Sequence, residues 1–299
     1  MVPHVVAFLV VIIWGSTFVF TKLLLLSGLS PAQIFTFRFI IAYVLLLAFS
    51  LCKGRAHRWF SCSWRDELLM LVLGITGGSL YFLTENEALN YTTTTNTSLI
   101  VCSCPLVAAL LISIVYRAQR ITRMQAVGSL LAVAGVVVVV LNGRFVLHLS
   151  PIGDGLALAA NLCWAVYSLL MIPVNKHYGA VFITRKVFFY GLLTMIPYYL
   201  WRPEEAAVFG PSIGQYLTLP VILNLLFLGC VASMLCFLLW TWVMGRLGAV
   251  VATNYVYINP IATVVFAWWI LSEPITPFFI VGSILILTGM YLADRKSRV

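Results

Sequence analysis

Apolar runs of membrane-crossing length follow one another along almost the whole chain, and that succession restricts the fold more than any single motif. About 20 mainly apolar residues cover the hydrocarbon core as an α-helix. Ten such runs lie at roughly 5–25, 32–51, 68–89, 95–116, 125–141, 155–173, 182–201, 218–243, 250–271 and 278–293. They are continuous rather than alternating and about twice the length of a barrel strand. The chain therefore reads as an all-α membrane protein of ten transmembrane helices. The first run lacks a basic leader and is too long for a secretory signal, so it too reads as a span. With 62% hydrophobic residues and only short connections, no room is left for a soluble catalytic or nucleic-acid-binding domain.

Basic residues orient the spans, because Lys and Arg accumulate in cytoplasmic loops. Lys53, Arg55, Arg58 and Arg65, then Arg117, Arg120 and Arg123, then Lys176, Arg246, Arg295, Lys296 and Arg298 all fall on one side; Arg144, Arg202, Glu204, Glu205 and Glu273 fall on the other. Both termini are expected to be cytoplasmic, in a multi-pass protein of the plasma or inner membrane with the lipid bilayer as its standing partner. The formal charge of +9 is spread over separate loops rather than one stripe, which argues against a nucleic-acid partner. Cys52, Cys62, Cys102, Cys104, Cys163, Cys230 and Cys236 show no paired metal-ligand spacing and read as buried thiols. Cys102 and Cys104 would point to nearly opposite faces of one helix.

The five-helix order is written twice. Gly74 to Pro105 lies over Gly229 to Pro260 without a gap, matching Leu80 with Leu235, Phe82 with Phe237 and Val101 with Val256. After a one-residue slip, GSLLAVAG at 128–135 meets GSILILTG at 282–289; earlier in each unit, TFRFII at 36–41 sits over TRKVFF at 184–189 and Trp14 and Trp164 occupy similar places. Two units, 1–145 and 150–299, follow. Because five is odd, the second unit enters the membrane from the opposite side, giving an inverted-topology pair.

Pro105 and Pro260 occupy matched places inside the fourth and ninth runs. Each would remove a backbone donor and kink its helix, leaving the carbonyls of Val101 and Val256 to be satisfied by protein or cavity water. Matched interruptions in two halves point to a site at the repeat interface. Asn96 and Ser98 before the first kink, with Asn254, Tyr255 and Asn259 before the second, can hydrogen-bond a small ligand. Trp14, Phe82, Trp164, Phe237 and Trp240 can hold its apolar part. Taken singly, these residues suit interhelical packing or lipid contact equally well. Glu85 and Glu87 differ by about 200° on an ideal helix, so only one readily lines a cavity. Glu85, sharing a face with Tyr81 and Phe82, is favoured and could exchange a proton. Lys22, Arg38, Arg185 and Lys186 are expected to snorkel; Arg38 and Lys186 are second-tier substrate contacts. The small residues of GITGG at 74–78 and of GSLLAVAG suit close helix packing.

The segments WGSTFVFTK at 14–22, SPAQIFTFRF at 30–39, ALNYTTTTNTSLIVCSCPLVAALL at 88–111, GDGLALAANLCWAVYSLL at 153–170 and RLGAVVATNYVYINPIATVVFAWWILSEPIT at 246–276 together resemble the EamA family of the drug/metabolite transporter superfamily. The resemblance implies ten helices and the movement, often outward, of small organic metabolites through a cavity bounded by helices one, three, four, six, eight and nine. The family's Gly-Glu pair after helices four and nine is met only in part, by Ser272-Glu273; at Arg117-Ala118 the acid is gone.

The expected function is a secondary transporter of amino-acid-like or amphipathic metabolites. Its small-molecule substrate, transport direction, coupling ion and oligomeric state are left open. No phosphate-binding GxxxxGK[ST] loop is present, so direct ATP coupling has no support, and no cofactor, metal or catalytic residue is implied. An intramembrane lipid-modifying enzyme would need a nucleophile and base or a metal set; His4, His57, His148 and His177 lie outside the expected spans. A sensor or partner subunit that no longer carries solute is the other alternative.

Overall fold

The computed structural model describes residues 1–52, 59–91, 97, 100–116, 122–141, 150–210, 213–216, 218–272 and 275–294. It is almost entirely helical. Among these residues, seven helices are long and apolar enough to cross a membrane: Val2–Leu26, Pro31–Cys52, Trp64–Ala88, Pro151–His177, Ala180–Trp201, Leu219–Leu247 and Ala249–Ile270. Three shorter apolar helices, Cys104–Val115, Arg123–Val139 and Pro277–Ala293, complete the bundle.

Local chemistry fixes where the helices begin and end. α1 (Val2–Leu26) carries proline in its first turn, where a missing N–H costs nothing and φ is preset. Gly28, at φ +91°, reverses the chain into α2 (Pro31–Cys52). α3 (Trp64–Gly74) is capped by Ser63, whose hydroxyl accepts the Asp66 N–H at 3.2 Å, with Asp66 and Glu67 in the first turn. The cap and the favourable helix dipole start this helix earlier than its apolar run, so Glu67 lies on a helix rather than in a loop.

α3 passes into α4 (Leu80–Tyr91) through a π-helical segment, Ile75–Ser79, in which Gly78 takes φ −129°, ψ −108°. α5 (Cys104–Val115), α6 (Arg123–Leu141), α7 (Pro151–His177) and α8 (Ala180–Leu193) follow. Next come α9 (Ile196–Trp201), α10 (Leu219–Leu226), a second π segment at Phe227–Leu235 and α11 (Cys236–Leu247). α12 (Ala249–Asn254), α13 (Asn259–Leu271) and α14 (Pro277–Asp294) close the chain. The two π segments occupy corresponding places in the aligned halves. Each receives a helix from the other half: α8 packs on the first and α2 on the second.

The two prolines differ in setting: Pro105 begins a helix after a turn, whereas Pro260 follows a 3-10 stretch inside the continuous helical span Ala249–Ile270. Ser103 makes a turn before α5, putting Pro105 in that helix's first turn. A 3-10 turn, Tyr255–Ile258, precedes α13, putting Pro260 second in it. At Pro105, a first-turn position, the missing N–H costs no intrahelical bond; at Pro260 the helix tightens to 3-10 geometry and the Val256 carbonyl accepts the Asn259 N–H instead. At the first break the Ile100 carbonyl accepts the Asn161 amide at 2.6 Å and the Ser103 hydroxyl at 2.7 Å. The turn also undoes the expected geometry of Cys102 and Cys104, which both border one cavity. Cys52 and Cys62 are exposed rather than buried.

Small residues set the closest helix approach. A Cβ built on Gly128 would meet the Gly289 carbonyl at 2.5 Å, and one on Gly135 would meet the Gly282 carbonyl at 2.7 Å. Rising positions on α6 thus face falling positions on α14, so the two helices pack antiparallel. At their centre the halves share a core in which Phe39, Tyr167, Phe188, Phe237 and Trp240 are fully buried.

Candidate functional site

A cavity of about 260 Å³ lies between α1, α2, α4, α7 and α11, with Val101 and Cys102 on one side and Val256 and Asn259 on another. Its wall on α1 runs from Trp14 through Thr17 and Thr21 to Lys22 and Leu25, toward the α1–α2 turn. Lys22 is exposed, so this end communicates with the surroundings. The deep end is aromatic. The Trp14 ring stands 5.7 Å from Trp164, 5.5 Å from Phe237 and 5.0 Å from Trp240, centroid to centroid. Its N–H donates to the Ala232 carbonyl at 2.9 Å, inside the second π segment.

Besides the exposed Lys22, two buried groups of opposite charge share this cavity. Arg38, 5% exposed, donates from Nε to the Ser233 hydroxyl at 2.8 Å, and its guanidinium lies 4.8 Å over the Phe82 ring. Glu85, 6% exposed, accepts the Tyr81 hydroxyl at 2.9 Å. Three polar atoms of lining residues, Thr97 Oγ1, Trp164 Nε1 and Asn259 Oδ1, are buried without a hydrogen-bond partner among the described residues. Unpaired buried polar groups are uncommon, and here they border a space a ligand could enter.

The expected site residues are distributed unevenly. Trp14, Phe82, Glu85, Trp164, Phe237, Asn259 and Arg38 line the cavity. Trp240 does not; it packs behind Trp14, wholly buried. Asn254 borders a separate cleft with Ser129 and Val250. Tyr255 turns away, its hydroxyl 2.6 Å from Nδ1 of His4, which lies within α1 rather than beyond its end. Asn96 and Ser98 lie outside the described residues, as do Arg117, Ala118 and Glu273.

Lys22 is exposed, as its place near a span end suggests, but Arg38, Arg185 and Lys186 are buried. Arg185 is 3% exposed beneath the Trp59 ring at 4.4 Å. Lys186 is ion-paired with Glu67, which also accepts the Tyr190 hydroxyl. Packing offers these side chains partners within the bundle, and that outweighs the reach to headgroups. Sequence reasoning passed over Thr17, Thr21, Phe35, Asn86 and Thr97, all on the lining. The helical spacing of Thr17 and Thr21 from Trp14 was the available signal.

Comparison with known proteins matches the EamA-like transporter family model to residues 1–141 and again to 151–293. The chain belongs to the EamA-like transporter family. Like other EamA proteins it is a multi-pass membrane transporter for small molecules, not an enzyme. An Archaeoglobus fulgidus protein named "Uncharacterized transporter" is 27% identical over 296 residues, covering 98% of this chain and 97% of the relative. A "Probable amino-acid metabolite efflux pump" of Escherichia coli K12 is 25% identical over 96% of this chain and 93% of its own. A "Probable terminal-alkyne amino-acid exporter" of Streptantibioticus cattleyicolor is 25% identical over 78% and 75%. A solved crystal structure superposes on this EamA chain with a TM-score of 0.74 at 20% identity, covering 99% of this chain and 98% of the other, which speaks for the fold.

Proposed function

We propose that this EamA protein exports small amphipathic zwitterions of the amino-acid type, by alternating access around the Trp14–Trp164 cavity. The observation that carries this reading is the pairing of Arg38 and Glu85 on one aromatic-walled cavity. A guanidinium suits a carboxylate, a carboxylate suits an ammonium, and Trp14, Phe82, Trp164 and Phe237 suit an apolar side chain. Trp164 Nε1 could donate to the ligand and Asn259 Oδ1 accept from it. The names of the efflux pump and the alkyne amino-acid exporter point the same way.

For the mechanism we take the units as 1–145 and 150–299, ten helices in two inverted repeats. Contact symmetry supports this. α6 meets α14 antiparallel, Gly128 against Gly289 and Gly135 against Gly282, as an isologous two-fold contact requires. α1 packs on α13 and α7 on α5; α8 packs on the first π segment and α2 on the second. π segments often mark functional sites, and here they form the joints where the halves meet. The described state opens at the α1–α2 turn and is closed toward Met1. With both termini cytoplasmic in the cell membrane, that is the outward-facing state.

The test is flux. Purified full-length protein in liposomes should exchange labelled phenylalanine or leucine for internal unlabelled amino acid. It should not exchange the corresponding amine or acid that lacks one charge. Equal movement of all three, or movement of none, overturns the reading.

A further inference from the structure

The repeat alignment assigns each residue of the cavity wall a counterpart on the other half. Thr17 and Phe18 of α1 fall on Tyr167 and Ser168 of α7, Arg38 of α2 on Lys186 of α8, and Glu85 and Asn86 of α4 on Trp240 and Thr241 of α11. The first set borders an open space, whereas its counterparts are shut in. Tyr167, Ser168, Trp240 and Thr241 are all 0% exposed. The Trp240 indole N–H has no hydrogen-bond partner among the described residues. A buried donor left unpaired is costly, and the cost disappears in any state where water or ligand reaches that surface.

Lys186 stands in chemistry like that of Arg38. Its ammonium lies 5.5 Å from the Phe60 ring, 5.8 Å from Phe182 and 5.6 Å from Tyr190, as the Arg38 guanidinium lies over Phe82. What differs is the carboxylate. Glu67 of α3 occupies Lys186 and is held there by the Tyr190 hydroxyl and by the Ser61 N–H at 3.1 Å. Just beyond, the Tyr178 hydroxyl donates to Asp66 at 2.7 Å and accepts the Cys62 N–H at 2.7 Å. The 59–63 segment and the head of α3, both from the first half, are thereby tied over the second half's closed wall.

We infer that Lys186 is the second carboxylate-binding cation of the transport path, serving the vestibule that opens toward Met1, and that Glu67 is the internal carboxylate filling it while that vestibule is shut. The assignment rests on the transport reading above. When the halves rock, one carboxylate replaces another on Lys186, so a buried ammonium is not left unpaired, an arrangement that would be strongly unfavourable. Glu67 thereby acts as a latch that substrate can displace.

The experiment uses the full-length chain with native cysteines replaced, carrying Ser168→Cys or Thr21→Cys, in membrane vesicles of both orientations with a membrane-impermeant maleimide. Adding Glu67→Gln should raise Ser168→Cys labelling from the Met1 side about fivefold or more and lower Thr21→Cys labelling from the other side, as a population shift requires. Glu67→Asp, which keeps the charge, should restore the parent pattern. In flux measurements, Lys186→Gln should weaken apparent substrate affinity about tenfold or more from the Met1 side and about twofold or less from the other. Unchanged Ser168→Cys labelling in Glu67→Gln, or an equal loss of affinity on both sides in Lys186→Gln, overturns the inference even where transport is intact. A chain that carries no zwitterion yet shows the labelling exchange overturns the transport reading and the substrate role of Lys186, while the latch itself stands.

Discussion

The Trp14 indole donates to the Ala232 carbonyl across 2.9 Å, joining the middle of the first helix to a π segment in the opposite half. A π turn shifts the i→i−4 register, and the Ala232 oxygen meets this cross-repeat donor at the floor of the cavity. Trp14→Phe keeps most of the ring but leaves that buried carbonyl without its indole partner. A loss of about 1–3 kcal/mol is expected, read as a lower unfolding temperature of the detergent-solubilised protein at unchanged helix content. A melting temperature equal to that of the parent would mean the bond contributes nothing.

The antiparallel contact of α6 with α14 predicts a sharp asymmetry among glycines. A methyl group on Gly135 would come within 2.6 Å of the Ile286 backbone nitrogen. Backbone cannot yield as a side-chain tip can, so Gly135→Ala should cost about 1–3 kcal/mol, and Gly135→Val more. Gly155, inside α7, has nothing within 4 Å of its would-be Cβ. Gly155→Ala should be neutral or stabilise by about 0.5–1 kcal/mol. Comparing size-exclusion recovery after heating for the two alanine variants checks both signs at once.

The helices and their doubling were legible because they rest on composition and spacing, which survive whatever the side chains later touch. Glu85 could be picked over Glu87 from the face it shares with Tyr81 and Phe82. The π segments could not be foreseen, since a register change over a few residues scarcely alters an apolar pattern, and GITGG reads equally as a packing stripe. In the sequence Lys186 reads as a snorkelling cation because it lies near a span end, and Glu67, ahead of the apolar run of α3, gives no sign of being its partner. Only the Ser63 cap shows that the helix begins early enough to bring that carboxylate to it. By residue type Trp240 groups with the other aromatics, although its repeat partner is Glu85 and its place is behind the cavity wall.

Arg38 offers a test of recognition separate from stability. Arg38→Lys keeps the charge but loses the planar group stacked on Phe82 and the Nε donor to Ser233, so partial function is expected. Arg38→Gln removes the charge and should weaken binding of a zwitterion by about 1.5–3 kcal/mol, the value of a hydrogen bond to a charged group, or roughly ten- to a hundredfold in apparent affinity. Binding of the matching amine, which has no carboxylate, should not weaken in parallel. Substrate-induced quenching of the tryptophans at 14 and 164 provides a readout that does not depend on turnover.

Asn161 of α7 braces the break before α5, beside the cavity wall. From α7 its amide donates at 2.6 Å to the Ile100 carbonyl and at 2.8 Å to the Ser103 hydroxyl, bracketing the turn that sets Cys102 and Cys104 on the same wall. The side chain is wholly buried. Asn161→Leu fills similar volume yet removes both bonds, so the Ile100 oxygen keeps only the Ser103 hydroxyl and backbone N–H, and the turn loses this tie to the second half. A destabilisation of about 1–3 kcal/mol is expected. A more specific sign is that the segment at 100–104 should shift relative to α7. In an otherwise cysteine-free chain, Cys104 should then react faster with a small permeant thiol reagent than in the parent, while Cys163, on α7 itself, should be unaffected. Acceleration of both thiols together would indicate general loosening and would remove Asn161 from its assigned role as the tether of the Ser103 turn.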